Sequence, residues 1–157
     1  FLEILETCLR IQWPLHASSI ACIQYAKKVG ALVGIATGRS TLGLIRSARR
    51  SAMDINLMDF IHVRSSILDV WNVPDQRALT LRSHGRKETP QGLSGVTRWL
   101  TAHSINPSEV LFVGDDETDR RAAAIHGFCF VMVDRYNPDF GPVNRLVTQE
   151  ISEALGT

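Results

Sequence analysis

The sequence has little of what several familiar protein classes need. Its 157 residues hold three cysteines, Cys8, Cys22 and Cys129, an odd number and widely spaced, with no Cys-x-x-Cys pair. No disulfide framework or zinc ribbon follows, and the three read as reduced, mostly buried thiols of an intracellular, reducing compartment, with cytoplasm and organelle matrix equally open. The apolar runs, such as Ala31 to Ala36, are far below a bilayer span. Phe1-Leu-Glu-Ile-Leu-Glu6 lacks the basic and then long apolar regions of a secretory leader, so none is expected in this stretch. Neither sign of charge dominates: 17 Lys and Arg stand against 16 Asp and Glu. A dedicated nucleic-acid binder would carry a strong basic excess. Gly-x-Ser-x-Gly is absent, and no Cys–His order suggests a nucleophile pair. Trp13, Trp71 and Trp99 are too scattered for a base-stacking platform and read as packing residues. His16, His62, His84, His103 and His126 have no metal-ligand spacing, and each reads as a surface or helix-end residue.

What is present suits one folded domain over residues 1–157, since 45% hydrophobic residues suffice for a core and no composition break divides the chain. Apolar runs at Phe1–Leu5, Ala31–Ala36, Leu57–Val63, Ile67–Trp71, Ala78–Leu81, Val110–Val113 and Phe128–Val133 read as strands. Helices are expected over Ala17–Val29 with Gly30 as its stop, after Ser40 as a cap, from Thr89-Pro90, over Thr118–His126 with Gly127 as its stop, and over Val147–Leu155. Such alternation predicts an α/β fold, a Rossmann-like three-layer sandwich around a mostly parallel sheet. Ligands in such sheets sit outside the carboxyl ends of the strands. Three polar segments fall there: Glu3–Thr7, Thr37–Ser40 and Asp115–Asp119.

Val110-Leu-Phe-Val-Gly-Asp-Asp-Glu-Thr-Asp119 is the most informative of these. Clustered carboxylates at the mouth of a parallel sheet repel unless a cation gathers them, and hard oxygen ligands suit Mg²⁺. A plainer reading also stands, in which the acidic residues favour the N-terminus of the next helix.

Four segments in order carry a resemblance. Gly-Asp, three residues, Asp and a small-residue helix is similar to the fourth motif of the haloacid dehalogenase-like (HAD) superfamily. Ala31-Leu-Val-Gly-Ile-Ala-Thr37 resembles the second motif, and Lys87-Glu-Thr-Pro90 the third. The first motif, Asp-x-Asp-x-Thr after a strand, falls in register on Glu3-Ile-Leu5-Glu-Thr7. The resemblance implies a HAD-like sandwich with no large cap, because the separation from Glu3 to Thr37 suits the family without an inserted cap and the interval from Thr37 to Lys87 is too short for a sugar-recognising one. In that family the first Asp attacks phosphorus and the second shuttles protons. Thr37 and Lys87 would orient and neutralise phosphoryl oxygens, and Asp115 would hold Mg²⁺ with Asp119 in support.

Only Thr7 matches the first motif, since Glu3 and Leu5 stand at the two Asp positions. The extra methylene of Glu3 displaces the attacking carboxylate by roughly 1 Å, which costs about a hundredfold in rate. Leu5 cannot carry a proton, and lost acid–base help costs about 10²–10⁴-fold. No confident catalytic residue remains: Glu3, Leu5, Thr7, Thr37 and Lys87 read as a vestigial pocket, with weak Mg²⁺ binding at Asp115 and Asp119.

The sequence therefore reads as a pseudoenzyme, a structural or interaction subunit of a larger assembly. Two basic groups, Arg46, Arg49 and Arg50 and then Arg82, His84, Arg86 and Lys87, leave contact with RNA or an acidic protein open alongside a merely solvated surface. The alternative is a Mg²⁺-dependent HAD phosphatase acting on a macromolecular or small exposed phosphate ester. Gly114-Asp-Asp-Glu-Thr-Asp119 is similar to a segment of trehalose-phosphate phosphatases, but Arg120 and Arg121 depart from their acidic continuation. A receiver-like signalling domain is a third reading, and it would want its acidic cluster after the first strand.

Overall fold

The computed structural model describes residues 16–38, 41–64, 79–83 and 85–155. Five strands and five helices alternate there: α1 (Ala17–Lys28), β1 (Gly34–Thr37), α2 (Thr41–Arg50), β2 (Phe60–Arg64), β3 (Leu79–Ser83), α3 (Ser94–Ala102), β4 (Leu111–Gly114), α4 (Glu117–His126), β5 (Cys129–Met132) and α5 (Gly141–Leu155). Short 3-10 turns at Ile55–Leu57 and Pro107–Glu109 lead towards β2 and into β4. Every pairing among the described strands is parallel, in two ladders, β1–β2–β3 and β4–β5. The expected α/β architecture with parallel strands is what the chain builds.

Period-two alternation in β2 sends its side chains to two different cores. Ile61 and Val63 join Leu44, Ile45 and Ala48 of α2 and Met53, Ile55 and Met58, with Ile20 and Ile23 of α1 packed on them. Phe60 faces the opposite way, towards Leu93, Val96 and Leu100 on the α3 side and Ala122 and Ala123 of α4. Helices thus cover both faces, as a parallel sheet requires. Trp99 of α3 packs on Phe60 with ring centroids 4.7 Å apart, the packing role expected of it. Asp59 ties α1 to the starts of the strands, accepting from Lys27 Nζ at 2.8 Å and from the Val33 amide at 2.6 Å. Tyr25 of α1 and Thr148 of α5 share a hydrogen bond of 2.5 Å.

Several expectations shift. Strand β1 begins at Gly34, and Leu57 still closes the 3-10 turn, so that β2 opens only at Phe60. Helix α3 starts at Ser94 rather than at Thr89-Pro90. Residues 86–94 fold as successive turns, with Thr89 N donating to Arg86 O at 3.0 Å and Gly92 N to Thr89 O at 2.9 Å. A Cβ on Gly92 would lie 1.8 Å from Arg86 O, so the loop closes on itself before the helix can begin. Helix α5 starts at Gly141, earlier than Val147, because Asp139 Oδ1 accepts from the Gly141 amide at 2.8 Å and Pro142 suits a first turn. Cys22 is buried as expected, but Cys129 is exposed, on a strand whose partner on one side is β4. Ser40, Ile67–Trp71, Cys8, Trp13 and Trp71 lie outside the described residues.

His62 is the sharpest departure. His16, His103 and His126 are helix-end residues as anticipated, yet His62 lies inside β2 and is 2% exposed. Alternation places it on the Phe60 side, where its Nε2 meets Ser83 Oγ of β3 at 2.5 Å. Burial pushes its pKa down from 6.5 to about 4, helped by His126 and Lys87, so the ring is neutral.

Two outcomes follow from this packing. Leu93 is fully buried, so Leu93→Ala costs about 2–5 kcal/mol in a urea titration, whereas exposed Leu57→Ala stays within about 0.5 kcal/mol. His62 binds a proton near pH 6.5 when unfolded but only near pH 4 when folded, so acid favours unfolding between those values. His126, also lowered by burial, acts in the same direction. Unfolding free energy therefore falls as pH drops from 6.5 to 4, with a shallower slope in His62→Gln. An unchanged slope in that variant would contradict the assignment.

Candidate functional site

Strand β4 delivers Gly114 to the sheet mouth, and the chain turns there into α4. Asp116 caps that helix, its Oδ1 accepting from the Asp119 amide at 2.9 Å. Asp119 folds back so that its Oδ2 accepts from the Asp115 amide at 3.2 Å. A Cβ on residue 114 would lie 2.3 Å from Asp119 Cβ, so only glycine lets the buried carboxylate approach. Lys87 Nζ donates to Asp119 Oδ1 from the 86–94 loop, and this ion pair is largely shielded from solvent.

The other two carboxylates have a cation of their own. Arg135, beyond β5, donates from Nε to Asp115 Oδ2 at 2.9 Å and from Nη2 to Asp115 Oδ1 at 3.4 Å. The same Nη2 reaches Asp116 Oδ2 at 3.3 Å. The hydrogen bond and charge of Asp115 raise the guanidinium pKa further. Asp134 braces the loop by accepting from the amides of Tyr136 and Asn137 at 2.8 and 2.7 Å.

Asp115, Asp116 and Asp119 each offer an oxygen within 4.8 Å of the others, the hard donor set that suits a divalent cation. In this arrangement, however, all three carboxylates are engaged by Arg135 or Lys87. A resident Mg²⁺ does not fit while those cations hold their places. Asp115 and Asp119 are thus brought together as expected, joined by Asp116.

Beside this turn lies a cleft of about 360 Å³. Thr37 and Gly38 reach it from the end of β1, Lys87 and Glu88 from the 86–94 loop, and Thr118 and Arg121 from α4. His62, Gly85, Arg86 and Gly92 complete the lining. Thr37 and Lys87, from the second and third sequence motifs, therefore share one cavity. Three lining side chains, Arg86, Lys87 and Arg121, are cationic against the single carboxylate of Glu88, with Arg86 paired to Glu88 at 3.7 Å and Lys87 to Asp119, and His62 is neutral. Glu3, Leu5 and Thr7 lie outside the described residues. Of the basic groups, Arg49 and Arg50 are exposed in the last turn of α2 with Arg46 half-buried, while Arg82 and Arg86 are exposed and Arg86, but not Arg82, lines the cleft beside Lys87. His84 lies outside the described residues.

Arg135 and the buried place of His62, expected at the surface or a helix end, were not foreseen. Arg135 belongs to no motif, and nothing local couples it to the turn twenty positions earlier. His62 did leave a signal: in Phe60-Ile-His-Val63 the alternation sets it opposite Ile61 and Val63, on the second core's side.

No family model matches the sequence, and no curated protein matches it. Among solved structures, the chain is similar to a crystal structure of a HAD-superfamily hydrolase from Ehrlichia chaffeensis, with a TM-score of 0.58 and 18% identity. The match covers 87% of this chain, which spans only 59% of the Ehrlichia chain. At that identity the likeness is one of architecture, and the fold of this chain is HAD-like.

Proposed function

We propose that the chain is a catalytically silent, single HAD-like domain without a large cap, acting as a structural or interaction subunit of a larger intracellular assembly. Its phosphoryl cleft is retained as an anion-binding surface. The observation that carries this reading is the neutralisation of the acidic turn by Arg135 and Lys87, which places protein cations where phosphoryl-transfer chemistry would want a metal. The first motif lends independent support, because Glu3 and Leu5 stand where the resemblance requires two aspartates. A fold outlasts its chemistry when the core is self-sufficient, and the two buried cores, one around α2 and β2 and the other around α3 and α4, include none of the three aspartates. Arg46, Arg49 and Arg50 offer a face to RNA or an acidic protein, and no helix among the described residues is long and apolar enough to cross a membrane.

A Mg²⁺-dependent phosphatase acting on an exposed ester is the second reading. It is favoured by the three carboxylates within 4.8 Å of one another and by the sharing of one cleft by Thr37 and Lys87.

Purified protein with millimolar Mg²⁺ is expected to hydrolyse an aryl phosphate no faster than buffer. Turnover that disappears in Asp115→Asn would reverse the reading. A thermal melt separates the two at the metal: Mg²⁺ leaves the wild-type midpoint unchanged but raises that of Arg135→Ala by a few degrees, since a ligand that binds only the folded state stabilises it. A Mg²⁺-dependent rise in the wild type would return the turn to a metal.

A further inference from the structure

We propose that His62 makes the cleft selective for an oxyanion that keeps a proton of its own, hydrogenphosphate over sulfate. The inference rests on the reading of the cleft as an anion site and adds the residue that chooses among anions.

Ser83 fixes the tautomer. Its hydroxyl has a single hydrogen, and its Oγ lies 2.5 Å from the Gly92 carbonyl oxygen, a contact only a donated hydrogen bond can sustain. Ser83 Oγ must therefore accept from His62, so the Nε2 at 2.5 Å carries the ring proton. A neutral ring with its proton on Nε2 has a bare lone pair on Nδ1. Nδ1 is buried and has no hydrogen-bond partner among the described residues, while His62 lines the cleft and is 2% exposed. A buried acceptor without a donor is destabilising, and a ligand that supplies a donor recovers the loss.

The rest of the lining states what else that ligand carries. Lys87, Arg86 and Arg121 favour negative charge, and Thr37 and Thr118 add hydroxyl groups. Lys87 is shared with Asp119 and Glu88 opposes the cations, so the anion competes for its place. Anionic charge and a donated hydrogen bond coexist in the P–OH of hydrogenphosphate. Sulfate has the same shape, and at pH 8 the same charge, but no hydrogen, and would set an oxygen lone pair against Nδ1.

Calorimetric titration at pH 8 with sodium phosphate and sodium sulfate tests this. Phosphate is expected to bind roughly tenfold or more tightly than sulfate, the size of one recovered buried hydrogen bond. His62→Phe should bring the two affinities within about twofold of each other, by weakening phosphate and relieving the repulsion of sulfate. Equal affinities in the wild type would overturn the role of His62 and leave the anion site standing. Binding of neither ion would remove the site as well. Because His62→Phe could unfold the chain, ¹⁵N-histidine spectra of the wild type give a second reading. The Nδ1 resonance should begin as an unprotonated nitrogen and shift on adding phosphate but not sulfate. A proton already on Nδ1 in the free protein ends the proposal.

Discussion

The half-buried ion pair between Lys87 and Asp119 is the contact on which the arrangement of this site depends. Asp119 belongs to the turn after β4 and Lys87 to the loop after β3, so one charge pair joins the strand ends of the two parallel ladders. A carboxylate as buried as Asp119 is tolerated only when paired and hydrogen-bonded, and removing one partner of such a pair is far more damaging than its net worth suggests. Both conditions are met: Lys87 supplies charge, the Asp115 amide a hydrogen bond, and Gly114 the space.

Arg135 differs in kind. Its guanidinium is half-exposed, so its bonds to Asp115 and Asp116 are screened by water and are weaker holds than that of Lys87 on Asp119. The acidic turn is therefore fixed at its inner end and only latched at its outer end.

Much of this was legible in the residues, unevenly. Strand–helix alternation announced the parallel architecture because a strand covered on both faces must be apolar throughout, as Ala31–Ala36 and Val110–Val113 are. Gly127 marked the end of α4 because a left-handed residue there, with φ at 72°, suits glycine. The start of α3 was misplaced because Pro90 is equally at home in a turn, and what delays the helix is the packing of Gly92 on Arg86. The convergence of Asp115, Asp119, Thr37 and Lys87 could be inferred because their order matched a known set of motifs. Arg135 could not be, because its partnership is set by where a surface loop comes to rest.

The closed loop between Arg86 and Ser94 has one more consequence. Successive turns and the contact of Gly92 with the Arg86 carbonyl hold Lys87 and Glu88 in place without a helix behind them. The ordering entropy of these side chains falls on folding rather than on capture of a ligand. The shape of the cleft and the integrity of the loop thereby become a single property, and damage to the small turn at Gly92, packed against Arg86 and Lys87, would loosen both.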